Sequence, residues 1–401
     1  MNNAEKIPYW KSNRFLHAFV EKTGEKGCII CDYTGIKLSM DRAPPPLRDQ
    51  PPKPKIRPIA SVSGEKVYTF RTWLNKKPPS EILPDLPTVN ELPVPEVVAR
   101  EAVPHWMAAY TAFDLQDIPG AIRKLGMPKA AKMFDKWFSG KLNYSPTTQM
   151  SKYELNQDCH IYPPEMIDTK SISMDWVLGF ERAKKEYGEL IEDRIFNDNA
   201  LGVLRKKLIK YSRAHEVLGF RQCNYDIQML HKEFQFQWVP VDGDLWQKIK
   251  QYLTREVVSR GLPDELTFIL GSFNIYAAVN RVIFSWEHGR RVATITHIYV
   301  YVKDGFSFTD EDGVVSQYLG HWNRKGMAVV AQQMAINRLT NTAWSNSPVF
   351  QVAGDGAGIL HPVFNSDFRD WQLRHKQGGD YMIYTDLVSI FLRQPIVVVL
   401  E

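Results

Sequence analysis

The sequence predicts an α+β protein: a helical middle region followed by a mainly antiparallel β domain, with an extended, proline-rich N-terminal arm before both. Two observations lead to this fold class. The apolar residues change from a spacing near 3.6 to a spacing of two around Leu262 and Pro263, and helices and strands occupy separate parts of the chain. We therefore place the arm at residues 1–104, the helical domain at 105–262 and the β domain at 263–401.

Prolines dominate the N-terminal arm, after a first stretch (1–35) that is predicted to hold one short helix. Seven prolines fall between Pro44 and Pro58, with basic residues among them. Because proline fixes its φ angle and lacks an N–H group, this segment is expected to be extended rather than helical. Two interpretations remain open: a docking arm for a partner protein, or a linker that wraps the body of its own chain.

The helical domain contains amphipathic segments with clear start signals. Pro119 and Pro128 suit first helical turns, and Ser173 can cap the segment with the most regular apolar face. The first helix of this domain is predicted to begin near Asp117. The further predicted helices cover Pro128–Gly140, Ser173–Asp193, Asn199–Gly219 and Asp244–Gly261.

The β domain centres on a predicted hairpin. Its first strand runs from Phe273 to Trp286, and a turn at Glu287-His288-Gly289-Arg290 leads into the second. We expect strands from Leu266 onward, then a helix capped at residue 365 or 366 and ended by Gly378-Gly379, a strand over 380–386 and a buried terminal strand over 396–400. Six β-branched residues are predicted to share one face of the second strand: Val292, Thr294, Thr296, Ile298, Val300 and Val302.

Composition and charge are those of an ordinary globular protein, with 44% hydrophobic residues, 24% charged residues and a net charge of +5. No lysine–arginine stripe is interleaved with aromatic residues, so we predict no nucleic-acid partner. A solvated surface is the default interpretation for the one basic helix face, and a membrane surface is the alternative. This face consists of Arg205, Lys206, Lys207, Lys210 and Arg213.

Neither the N-terminus nor the cysteines indicate an exported protein. The first residues lack the apolar core of a signal peptide, and no apolar run approaches the ~18 residues that span a membrane. The chain is therefore expected to be made and folded in a bacterial cytoplasm. Cys28 and Cys31 form a CxxC pair, but no second pair follows at zinc-finger spacing, so we interpret them as small apolar residues of a short hairpin.

Four segments of the chain carry a family resemblance. They are Asp117–Gly126 followed by Trp137-Phe138, then Met174–Ala183, then Gln317–Trp322, and finally Asp367–Trp371 through Gly378-Gly379-Asp380. In this order they resemble an uncharacterised family of bacterial proteins, a domain of unknown function often found among type VI secretion genes. The resemblance covers about residues 113–400.

This resemblance implies an antibacterial effector that is loaded on the secretion spike and delivered into a competitor cell. The expected partners are the spike or a carrier protein, bound through the N-terminal arm, and a cognate immunity protein. A non-enzymatic adaptor or chaperone of the secretion machinery is the alternative, because tryptophan and tyrosine suit interfaces.

The end of the second hairpin strand is similar to the colicin M type of bacteriocin, which resembles a metal-dependent phosphodiesterase acting on lipid-linked peptidoglycan precursor. There an acid-x-tyrosine-acid run precedes a histidine–arginine pair. Here the run is Asp304-Gly305-Phe306-Ser307, with phenylalanine and serine at the last two of these positions, and His321 and Arg324 follow.

This second resemblance implies catalytic roles for Asp304, His321 and Arg324, and a divalent cation such as magnesium at Asp304, Asp310 and Asp312. Carboxylates would bind the hard cation, and the arginine would meet charge developing on phosphate. In the structural alternative, the acids are solvated residues at a strand end, and His321 is a packed core histidine.

Overall fold

The computed structural model describes residues 38–48, 112–241, 264–310, 316–328 and 358–400, together with short strands elsewhere. These short strands are β1 (Lys6–Ile7), β2 (Tyr9–Asn13), β3 (Ala18–Lys22), β4 (Cys28–Ile30) and, late in the chain, Val349–Gln351. Strands thus occupy the stretch for which one short helix was predicted.

Helices fill the middle of the chain, as predicted. Thr147, Ser173, Asn197, Asp226 and Asp264 each cap one by accepting a hydrogen bond from the backbone N–H three residues further on. The helices are α1 (Ile118–Lys124), α2 (Pro128–Phe138), α3 (Thr148–Lys152), α4 (Met174–Leu178), α5 (Glu181–Glu192), α6 (Asp198–Leu208), α7 (Gly219–Gln222), α8 (Ile227–Phe234), α9 (Glu265–Leu270) and, after the main hairpin, α10 (Asn365–His375).

Three of the predicted helix boundaries are wrong. The helix expected over 173–193 is split at Gly179, because Phe180 has extended backbone angles (φ −98°, ψ 119°) before α5 begins. The helix expected over 199–219 stops earlier, since residues 216–218 pair with a strand instead. Asp264 caps α9, so the helix there runs to Leu270 and the main hairpin begins at Phe273 and not at Leu266. The predicted helix over 244–261 lies outside the described residues.

The larger sheet is built around one long antiparallel hairpin. The remaining strands are β5 (Ile167–Asp168), β6 (Glu216–Leu218), β7 (Gln235–Val241), β8 (Phe273–Glu287), β9 (Arg290–Phe306), β10 (Tyr318–Asn323), β11 (Gly326–Ala328), β12 (Val349–Gln351), β13 (Gly358–Phe364), β14 (Tyr381–Tyr384) and β15 (Val388–Val399). In the larger sheet the strand order is β5-β14-β9-β8-β6. In addition, β15 pairs with β9 and β7 pairs with β8. Every pairing is antiparallel except that of β5 with β14. The predicted fold class, helices followed by a mainly antiparallel sheet, is confirmed.

A bulge in the hairpin changes which residues face the core. The register between β8 and β9 shifts near Arg281 and His297. Ile298, Val300 and Val302 are fully buried, whereas Thr294 and Thr296 are only half-buried. The predicted single face of six β-branched residues is therefore divided, because one extra residue moves every later side chain to the opposite face.

A second sheet has the order β1-β4-β12-β13-β10-β11, and all of its pairings are antiparallel. The helices and both sheets contribute to one hydrophobic core among the described residues. No helix in the described part of the chain has the length and apolar character needed to span a membrane.

Part of the proline-rich arm lies on the body of the protein. The backbone N–H of Ser39 bonds to the carbonyl of Phe113 at 2.8 Å, and Gln377 donates to the Pro45 carbonyl at 2.7 Å. His375 also shares a hydrogen bond with the Met40 carbonyl. Residues 38–48 thus wrap the body, as in the linker interpretation, while the rest of the proline-rich segment lies outside the described residues.

Candidate functional site

Asp304 lies near the end of β9, opposite Ile383 of β14. Burial raises the pKa of its carboxyl well above the usual aspartate value, and the neighbouring Lys303 opposes this shift. A carboxyl held this way favours its neutral form, in contrast to the charged ligand of a metal ion.

The other two predicted catalytic residues have different surroundings. His321 is completely buried in β10, where its Nδ1 shares a hydrogen bond with the Tyr318 hydroxyl. Arg324 lies in the turn after β10, donates to Asp117 at 2.8 Å and donates to the Ala112 carbonyl at 2.9 Å. His321 and Arg324 thus have partners of their own, Tyr318 on β10 and Asp117 at the start of α1.

The predicted metal ligands are only partly described. Asp310 accepts a hydrogen bond from the backbone N–H of Gln317 at 3.0 Å, and Asp312 lies outside the described residues. Within the described residues, no group of three or more histidine, cysteine, aspartate or glutamate side chains is placed to hold a metal ion. The set Asp304, Asp310 and Asp312, and a metal at the CxxC pair, stay predictions.

A polar and aromatic cluster, which we call the tyrosine site, lies on the face of the hairpin opposite Val300 and Val302. We call this the outer face, although α8 covers part of it, and Tyr301 and Tyr384 are completely buried there. Tyr276 on β8 and Tyr301 on β9 are direct cross-strand neighbours, and Lys303 pairs in register with Tyr384 of β14. Residues opposite each other in an antiparallel pair point to the same side of the sheet. The site consists of Glu154, His231, Tyr276, Tyr301, Lys303 and Tyr384.

Glu154 is the centre of the hydrogen bonds in this site. Its carboxylate accepts from Lys303 Nζ at 2.5 Å, from Gln228 Nε2 at 2.5 Å and from the Tyr384 hydroxyl at 3.2 Å. The residue follows α3 in the left-handed region, with a φ of 56°. Such a conformation is strained for a residue with a side chain, so other contacts must hold Glu154 in place.

His231 covers the tyrosines from above the sheet. It lies on α8, its ring centroid is 4.8 Å from that of Tyr276, and its Nδ1 shares a 2.8 Å hydrogen bond with the Tyr301 hydroxyl. Burial, helped by the charges of Lys303 and Lys207, lowers the pKa of His231 to about 3, so the imidazole is neutral at physiological pH. Burial also raises the pKa values of Tyr276, Tyr301 and Tyr384, and their hydroxyls stay protonated.

The rim of the tyrosine site is open to solvent. Trp238 on β7 lies directly opposite Tyr276 and is 49% exposed, and Tyr153 beside Glu154 is 61% exposed. Asn274 is half-buried and donates to the Tyr276 hydroxyl at 3.2 Å. Perturbed titratable groups beside accessible aromatic rings on a rigid sheet are typical of a binding or catalytic site.

Only the border of this site was predictable from the sequence. Asp304 is adjacent to Lys303 and raises the pKa of Tyr276, after the larger effect of burial. Alternating tyrosines at 299 and 301, followed by Lys303, were a usable signal for a polar outer face on β9. Nothing in the sequence near Glu154 or His231 indicated a role, because only the tertiary fold brings these segments together.

The motifs that carried the family resemblance meet elsewhere, in the core. Trp137 of α2 donates its indole N–H to the fully buried Asp380 at 2.8 Å, and Arg369 of α10 reaches the same carboxylate at 3.3 Å. Phe368 stacks on Phe308 with a centroid distance of 3.8 Å. These motif residues therefore join α2, α10 and β14.

Close backbone contacts at this junction require glycine. A Cβ on Gly379 would lie 2.7 Å from the Lys141 carbonyl oxygen. A Cβ on Gly378, which has a φ of 94°, would meet the Trp137 ring at 3.1 Å. The Gly378-Gly379-Asp380 motif thus serves packing, and we assign the Asp380 network a structural role.

The basic face of α6 is largely used within the chain. Arg205 donates to the Val399 carbonyl at 2.9 Å, Lys207 donates to the Lys232 carbonyl at 2.8 Å, and Lys210 pairs with Glu233. Lys206 and Arg213 are exposed. The solvated face and the membrane surface both stay predictions.

The fold and the tyrosine site together define an α+β protein with a polar, aromatic site on the outer face of an antiparallel sheet. Residues 113–400 match a family of unknown function (DUF6402), and the chain belongs to this family. No curated protein and no solved structure matches the chain.

Proposed function

We propose that this protein is a bacterial effector that type VI secretion delivers into a neighbouring cell, where it is toxic. The observation that carries the proposal is the division of the chain between a family region at 113–400 and a proline-rich segment outside it. A body with its own core and an additional docking segment suits a cargo protein. The producing bacterium is then expected to hold a cognate immunity protein.

The tyrosine site supports the view that the activity resides in the family region, at residues 113–400. Tyr276, Tyr301 and Lys303 are held on the β8–β9 hairpin, Glu154 and His231 reach them from other elements, and the rim of the site is exposed. The phosphodiesterase alternative is less favoured, because His321 shares a hydrogen bond with Tyr318 and Arg324 is paired with Asp117. The tyrosine site is thus where we expect the effector to meet its target.

Expression in two compartments tests this proposal. The full chain is induced in a bacterium without the immunity protein, once in the cytoplasm and once with an added export signal that sends it to the periplasm. We expect growth arrest in one compartment, which identifies the side of the membrane where the target lies. Stable, folded protein without growth arrest in either compartment contradicts the toxin proposal.

A non-enzymatic adaptor is the second candidate, and one feature favours it. The distal half of the outer sheet face carries exposed apolar side chains, with Phe391 65% exposed and Val397 52% exposed on β15. Exposed apolar patches of this kind mark interaction surfaces. The adaptor predicts no growth arrest, together with co-purification of a secretion component that is lost on Phe391→Ser.

A further inference from the structure

Two aromatic side chains, Trp238 and Tyr276, form an accessible surface at the edge of the tyrosine site, and we call it the aromatic ledge. Trp238 and Tyr276 are opposite each other on neighbouring strands, so their side chains point to the same side of the sheet about 5 Å apart at Cβ. Trp238 is 49% exposed and Tyr276 is half-buried. Large exposed aromatic side chains beside a polar cluster provide flat surfaces on which a ligand can stack.

The polar groups next to this ledge offer many hydrogen bonds and little net charge. The cation of Lys303 is paired with the anion of Glu154, and the amides of Asn274 and Gln228 are neutral and half-buried. His231 adds a neutral imidazole. Amides and protonated tyrosine hydroxyls both donate and accept, which suits a ligand rich in hydroxyl groups.

Charge and polarity narrow the class of ligand. An anion such as a phosphate would approach Glu154 while finding Lys303 already paired with it. A purely apolar ligand would cover the half-buried Asn274 and Gln228 amides without offering them hydrogen bonds, which is unfavourable. A sugar ring meets both demands, because its C–H face packs on an aromatic ring and its hydroxyls bond to amides.

We propose that the tyrosine site binds a saccharide, with a sugar ring stacked on Trp238 and its hydroxyl groups directed to Asn274 and Gln228. This inference goes beyond the proposed toxicity and does not depend on delivery. It is tested on the purified full chain, so its failure and the failure of the toxin proposal are separate results.

Isothermal titration calorimetry with three soluble probes tests the proposal: chitohexaose, cellohexaose and maltohexaose. We expect at least one of them to bind with a Kd in the millimolar range or below. Trp238→Ala is expected to weaken that binding at least tenfold, and Asn274→Ala to weaken it several-fold. Trp286→Ala is the matched control, because Trp286 is 66% exposed but lies beside the hairpin turn, and this variant is expected to bind like the wild type.

Three results would overturn the proposal. The first is no binding of any of the three probes at millimolar concentration. The second is unchanged binding by Trp238→Ala and Asn274→Ala variants whose circular dichroism spectra match that of the wild type. The third is an equal loss in Trp238→Ala and Trp286→Ala, because stacking at the tyrosine site would then not be responsible.

Discussion

At the scale of single residues, buried charged groups contribute strongly to the stability of the fold, and Asp380 is the main example. Its carboxylate is fully buried and receives hydrogen bonds from Trp137, Gln372 and Arg369. Burial raises its pKa, and the Arg369 guanidinium opposes this rise. The sequence placed Asp380 at the start of a strand, but the fold makes it the partner of a helix formed by residues far earlier in the chain.

Asp380→Ala is expected to lower the free energy of unfolding by about 3 kcal/mol, because Arg369 and the Trp137 indole would lose a buried partner. Urea denaturation at neutral pH measures this change. Asp370→Ala is the matched control, since Asp370 is exposed on α10, the helix that carries Arg369, and its loss should change stability little. Equal effects in the two variants would contradict the structural role of Asp380.

His361 makes the protein sensitive to acid. Burial, helped by the nearby His321, lowers its pKa from 6.5 to about 4. A histidine that stays neutral in the folded state binds its proton more readily in the unfolded state. This contribution to stability is therefore present above pH 6.5 and is lost progressively as the pH falls from 6.5 towards 4.

We expect His361→Gln to reduce the loss of stability between pH 7 and pH 4.5 by about 2 kcal/mol relative to the wild type. Urea denaturation at both pH values gives the difference. Asp367, whose pKa is raised to about 6, acts in the opposite direction and is unchanged in this comparison. The exposed His160, replaced by glutamine, is the control, and an equal change in both variants would contradict the role of His361.

At the scale of elements, the β8–β9 hairpin organises the larger sheet. Its turn has positive φ at both central residues, 49° at His288 and 75° at Gly289, which is the pattern of a two-residue hairpin turn. The turn was predictable from the Glu-His-Gly-Arg sequence. The bulge near His297 was not, because a bulge depends on how both strands pack against the core and not on either strand alone.

Gly289→Val is expected to cost about 1 kcal/mol or more, since a β-branched residue is strained at this positive φ. His288→Asn keeps the turn and should stabilise it slightly, because asparagine tolerates this conformation. Thermal unfolding of both variants checks the pair. If Gly289→Val melts at the wild-type temperature, the turn is not as described.

For the whole molecule, the succession of helices and strands was predictable, but the assembly of the tyrosine site was not. Pro128 and Gly140 bracket α2 correctly, because these residues start and stop helices through local backbone effects. Glu154, His231 and Lys303 come from separate elements, and no local pattern links them. The sequence therefore indicated the strand that carries Lys303 and missed the groups that complete the site.

The docking role of the arm is also a question for the whole molecule. Residues 38–48 are held by the body, so we expect the remaining proline-rich part to bind the spike or carrier protein. Removing residues 52–104 should abolish co-purification with the spike and leave the melting temperature nearly unchanged. Binding at full affinity by the shortened chain would show that this segment is not the docking arm.

The central claim is that this protein acts through the tyrosine site. The most direct test is the toxicity of single variants, expressed in the cytoplasm or exported to the periplasm. Viable counts are measured after induction in the compartment where the wild type arrests growth, with Trp238→Ala compared against Trp286→Ala at equal protein levels. We predict that Trp286→Ala kills like the wild type and that Trp238→Ala does not. Equal killing by both variants would contradict the claim.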